Sequence, residues 1–137
     1  MVTASIPTTP NIPKGKVHRA GVLAFIDKLL DKGILFTAKG RPGSQTCLIN
    51  VGMTTVKVFV TQQEESVPHW CKHRENSIEH LKLSNPEAIA VYIRLKKNPS
   101  DTRFFIVPVP NVPIRQSSVH IEDLEKYEDQ WKLLIDD

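Results

Sequence analysis

A single α/β domain, built on a mixed central sheet of about five strands with flanking helices, is the fold class predicted by the 137-residue sequence. Three observations point to it. Val22, Phe25, Ile26, Leu29 and Leu30 follow the spacing of one buried helical stripe; residues 55–62 alternate apolar and polar side chains; and two apolar runs, 88–95 and 103–109, are rich in β-branched and aromatic residues. Helix-like and strand-like segments succeed one another in the order α-β-β-β-α-β-β-α.

Residues 1–15 carry Pro7, Pro10 and Pro13 and no periodic apolar face, so they read as an unstructured arm ahead of one domain at 16–137. The first helix holds the stripe from Val22. Lys28 and Lys32 complement its C-terminal dipole, and Gly33 stops it. "ILFTA" (34–38) reads as a short strand and "KGRPGSQ" (39–45) as a basic turning loop. "TCLINV" (46–51) and "TVKVFVTQ" (55–62) are the next two strands, joined tightly through "GMT". Asn76 and Glu79 form a capping box for a brief helix that ends at Asn85-Pro86. "AIAVYIRL" (88–95) is apolar enough to be central, whereas Pro108 and Pro110 put "RFFIVPV" (103–109) at an edge or end it there. Leu124, Tyr127, Trp131 and Leu134 then return to helical spacing, which predicts a last helix docked on its own sheet.

Composition excludes several classes. No apolar run reaches the ~18 residues of a membrane span, and the N-terminus lacks an apolar export segment, so a cytoplasmic location is expected. Two cysteines, Cys47 and Cys71, do not make a disulfide framework, and reduced thiols are expected. Charge is uneven: residues 1–120 hold sixteen Lys/Arg against eight Asp/Glu, and residues 121–137 hold two against seven. A basic body with an acidic tail suits a polyanionic partner.

Within the third strand Thr55, Lys57, Phe59 and Thr61 share one face, and Val56, Val58 and Val60 the other. Lys57 thus stands on a sheet face, either as a solvated polar residue or as a phosphate contact. Lys14, Lys16, Arg19, Lys39, Arg41, Lys57, Lys72 and Arg74 make a tract that follows phosphates wherever the fold gathers them. The glycines of "KGRPGS" let backbone N–H groups approach an anion, but the lysine and hydroxyl residue of a nucleotide-binding P-loop do not follow. "HWCKH" sets His69, Cys71 and His73 at alternate positions, and Cys47 or His80 would complete four ligands. That spacing matches no usual zinc pairing, so a polar loop around Trp70 is expected and no resident metal.

The element order, together with the ending "RFFIVPV…HIEDLEKYEDQWKLL", resembles the PD-(D/E)XK, or restriction-endonuclease-like, nuclease superfamily over roughly residues 18–134. In that family a helix precedes three strands, and a second helix leads to a fourth. The second strand brings a metal-binding aspartate and the third a Glu/Gln-x-Lys, so that two carboxylates hold Mg²⁺ and the lysine stabilises developing charge. Here the second strand offers Gln45, Thr46, Cys47 and Asn50, and no carboxylate occurs from 32 to 63. Lys57 takes the acidic place under one alignment; under the other it is the lysine and Thr55 has displaced the acid.

The resemblance therefore implies a nuclease-like scaffold that binds nucleic acid, DNA before RNA, without hydrolysis or cofactor, and it is compatible with a homodimer. One alternative is a Mg²⁺-dependent endonuclease of intron-encoded or restriction type, with Lys57 catalytic and carboxylates supplied from Asp27, Asp31, Glu64 or Glu65. Another is a small interaction or inhibitor module working through its acidic C-terminal helix.

Overall fold

The computed structural model describes residues 16–40, 48–61, 69–70, 82–96, 98–113 and 119–135. Helix α1 (Val17–Asp31) starts a turn earlier than its apolar stripe and buries Gly21, Val22, Phe25 and Leu29. It ends as its sequence dictates. Gly33 takes φ 72°, where a Cβ would be strained, and the Gly33 and Ile34 amides bond back to the Leu30 and Leu29 carbonyls at 3.1 and 2.9 Å. Ile34 and Leu29 are buried in the same cluster, which is the apolar contact that accompanies this terminator.

A five-stranded mixed sheet follows. Strands β1 (Thr37–Lys39), β2 (Leu48–Val51) and β3 (Thr54–Thr61) form an antiparallel meander. A two-residue strand, β4 (His69–Trp70), belongs to a separate ribbon. Strand β5 (Ile89–Arg94) lies parallel to β3, and β6 (Arg103–Pro108) antiparallel to β5, so the sheet runs in the order β1-β2-β3-β5-β6. All six residues of β5 are buried, as befits the continuous apolar run of a strand with neighbours on both sides. β6 is the edge strand its prolines predict, and it ends at Pro108. The first strand is shorter than its sequence suggests, because Ile34 is spent on the helix terminator and Leu35 is 87% exposed. Lys39 consequently belongs to β1 and not to the loop.

The sheet is packed on both faces. On one, Val22, Phe25 and Leu29 of α1 meet Ile49, Val56, Val91, Ile93, Phe104 and Ile106. On the other, Phe59, Ala90, Tyr92, Phe105 and Val107 meet Val119, Ile121 and Leu124. β4 pairs antiparallel with β7 (Val119–His120) to make the two-stranded ribbon. Residues 82–84 are helical, just before Asn85 and Pro86, where the brief second helix is expected to end; its capping box lies outside the described residues.

The single C-terminal helix expected from residues 124–134 does not form. Short helices α2 (Ile121–Leu124) and α3 (Lys132–Ile135) are parted by a 3₁₀ turn (Glu125–Tyr127) and a break in which Asp129 adopts φ 57°. The reason lies in what the apolar residues touch. Leu124 and Tyr127 pack on one face of the sheet, whereas Trp131 and Leu134 pack on the other. The chain crosses the β6 edge between them, through a bridge of Glu128 to Phe105. Among the described residues no helix is long and apolar enough to cross a membrane.

Candidate nucleic-acid interface

Directly opposed residues of paired strands point to the same face, so register decides which side chains meet. Thr37 opposes Asn50, and Asn50 opposes Thr55. These three form a row of short polar side chains, in which the Thr55 hydroxyl donates to Asn50 Oδ1 at 3.2 Å. One row further, Lys39 opposes Leu48, and Lys57 lies one step beyond the Ile49–Val56 pair. Lys39 and Lys57 therefore rise from the same face, two strand spacings or about 10 Å apart. Thr37 and Lys39 are exposed; Asn50, Thr55 and Lys57 are half-buried.

Beyond Lys57 the same face becomes apolar. Lys57 opposes Ala90, Phe59 opposes Tyr92, and those two rings stack at 4.8 Å with 15° between their planes. Burial pushes the Tyr92 phenol well above its ordinary pKa, because the phenolate would lose its hydration. Lys57 thus marks the boundary between a polar half of the face, on β1 to β3, and an apolar half packed under Val119, Ile121 and Leu124.

Helix α1 covers the opposite face. A Cβ on Gly21 would fall 2.3 Å from Val60 Cγ2, which places the helix against the Val56, Val58 and Val60 side of β3. Its first turn is tied to the same strand. His18 Nε2 lies 3.2 Å from the Val58 carbonyl oxygen, and strand carbonyls point sideways, within the sheet. Lys16 and Arg19 flank this anchor and are exposed. The turn has no acidic residue and no side-chain cap, so its dipole and its cations add to one positive potential that works against helix stability.

Of the eight cationic residues singled out in the sequence, Lys39 and Lys57 share one face, and Lys16 and Arg19 are exposed at the start of α1, which covers the other. Lys14, Arg41, Lys72 and Arg74 lie outside the described residues. Asp27 and Asp31 are exposed on α1, across the sheet from Lys57; Glu64 and Glu65 lie outside the described residues, as do Gln45, Thr46, Cys47, Cys71, His73 and His80. Among the described residues no three His, Cys, Asp or Glu side chains come together as a metal-holding group.

The structure also shows residues that the sequence did not single out. Arg94, 2% exposed, and Arg103 are directly opposed on β5 and β6. Like charges so placed repel, and Arg103 is offset by Glu128, which accepts its Nε and Nη2 hydrogens at 2.9 and 2.7 Å. That two-pronged bond holds the Glu128 carboxyl below the usual carboxylate range and raises the Arg103 guanidinium. Glu128 was legible only as part of an acidic tail. Comparison of the chain with protein-family profiles, curated proteins and solved structures finds no match in any of the three.

Proposed function

We infer that the chain binds nucleic acid through its phosphates, DNA before RNA, and does not cut it. The observation that carries this reading is the presence of Lys39 and Lys57 on one half-face of the sheet; the positive, uncapped start of α1 is tied to the same strand as Lys57. Two ammonium groups and a row of hydroxyl and amide side chains can contact phosphate oxygens without reading bases. The uncapped turn with Lys16 and Arg19 breaks a local stability rule, which is expected where positive potential serves a ligand. A helix leading into a three-stranded meander, then a strand parallel to the third, is also the order expected of a nuclease-like scaffold.

The test is fluorescence anisotropy with labelled duplex DNA and RNA, beside a plasmid incubation in Mg²⁺ and in Mn²⁺. Binding is expected that Lys39→Ala/Lys57→Ala weakens about equally for unrelated duplex sequences, and the plasmid should stay intact. Nicking by wild type but not by Lys57→Ala would put an endonuclease in its place. Absence of binding even at low salt would leave an interaction module as the better account.

A further inference from the structure

Every open sheet has two edges, and an edge strand offers unpaired N–H and C=O groups to any other strand. The two edges here differ. β1 is three residues long, exposed throughout and ends in Lys39, all of which discourage pairing. β6 has none of these defences in its middle. Phe104, Phe105, Ile106 and Val107 are uncharged, strongly β-forming and buried on both faces, the composition of a segment that pairs with copies of itself.

Which backbone groups point outward can be read from one bond. The Asp129 amide donates to the Phe104 carbonyl at 2.9 Å. Groups of alternate residues point to the same side of a strand, so Phe104, Ile106 and Pro108 turn theirs away from β5. Pro108 therefore lacks its N–H where an edge would otherwise display one. The other two positions lie under the chain crossing at 128–129. Two contacts hold that crossing: the Glu128 bridge to Phe105, of which the Asp129 bond to Phe104 is part, and the two-pronged Arg103–Glu128 pair. Past it, Trp131 is 6% exposed, stacks with Phe25 at 5.9 Å and lies against Phe104 at 5.4 Å. Its indole N–H donates to Asp129 Oδ1 at 3.2 Å, which helps hold the backbone at a φ few residues other than glycine accept.

We propose that residues 128–135 are a strap closing the β6 edge against a second copy of this chain, and that release of the strap lets the chain pair with itself through Phe104–Val107. The self-complementary partner follows from the segment: an antiparallel pair about a two-fold axis sets one uncharged apolar strand against its identical copy. The proposal is independent of the nucleic-acid reading, since the strap lies at the opposite edge of the sheet from β1.

The test uses the full chain, with Asp129→Pro as the release variant and Asp129→Asn as its control. Proline removes the donated N–H and cannot take a positive φ, whereas asparagine keeps the N–H, tolerates the positive φ and retains an Oδ1 for the Trp131 indole. Sedimentation velocity across a concentration series reads association, and hydrogen exchange at the lowest concentration reads the Phe104 and Ile106 amides. Asp129→Pro is expected to keep the circular dichroism of the sheet and to exchange those amides about tenfold faster or more. It should form larger species as concentration rises, with Asp129→Asn behaving as wild type. Faster exchange with wild-type sedimentation at every concentration overturns the proposal, and so does unchanged exchange. Should Asp129→Pro lose the sheet signal, Glu128→Gln decides instead: it loosens the clamp without touching the backbone. Faster exchange with more association than wild type upholds the strap, and either readout at the wild-type value rejects it.

Discussion

Gly21→Ala sets two rules of helix stability against each other, and the structure says which wins. Alanine inside a helix is ordinarily favoured over glycine by about 1 kcal/mol. At position 21 its Cβ would meet Val60 Cγ2 at 2.3 Å, Cγ1 at 2.5 Å and Cβ at 2.9 Å. Carbon atoms pack at about 3.5–4.0 Å, so α1 must lift by about 1 Å. Rotating Val60 does not relieve the clash, because its Cβ is itself too close. Overpacking of this kind costs typically 1–3 kcal/mol, and lifting the helix strains the His18–Val58 bond as well. The net expectation after the propensity gain is a loss of about 0–2 kcal/mol, pushed toward the upper end by the strained His18–Val58 bond. Urea unfolding followed by circular dichroism measures it. A cycle with Val60→Ala should show the double variant less destabilised than the two single losses combined, since truncating the valine removes the two nearest atoms. A Gly21→Ala protein more stable than wild type would refute the reasoning, and with it the placement of α1 on the Val60 face.

Three other outcomes follow from the packing. Replacing Glu128 by Gln should cost about 1 kcal/mol at neutral pH, as for a well-formed but partly exposed pair. Because the folded-state pKa of Glu128 is depressed, that difference is fully present above the ordinary glutamate value of about 4.3 and fades as pH falls through the lower folded value, which unfolding curves at several acidic pH values would show. Trp131→Ala should destabilise by about 3–5 kcal/mol, measured by the same denaturation; a loss under about 1 kcal/mol would mean that its packing against Phe25 and Phe104 is incidental. In an alkaline absorbance titration Tyr92 should stay un-ionised until the sheet unfolds, so Tyr92→Phe should leave the pre-unfolding tyrosinate signal unchanged.

Periodicity carried much of the fold into view. The uninterrupted apolar run of β5 matches its burial, and most of the α1 stripe does, although its Leu30 is 64% exposed; along Thr54–Thr61 the alternation sorts side chains between the two faces, but Val56 and Phe59, one on each face, are the buried ones. Periodicity also misled at the C-terminus. Leu124, Tyr127, Trp131 and Leu134 keep helical spacing, yet they serve two faces of the sheet with the chain folded across β6 between them. Spacing records that residues are buried, not against what. The two-residue strands β4 and β7 are too short to show any period. The candidate site was half legible: the face of Lys57 follows from alternation, whereas its sharing of that face with Lys39 depends on register across β1, β2 and β3, which no single strand encodes.

On the proposed function, the cations of one sheet half-face meet phosphates. The most direct measurement is the slope of log K against log salt for duplex DNA, for wild type and for Lys39→Ala/Lys57→Ala. Loss of two phosphate contacts should make the slope shallower by about 1.8, with circular dichroism unchanged. Equal slopes for the two proteins, or wild-type affinity that does not respond to salt, would contradict it.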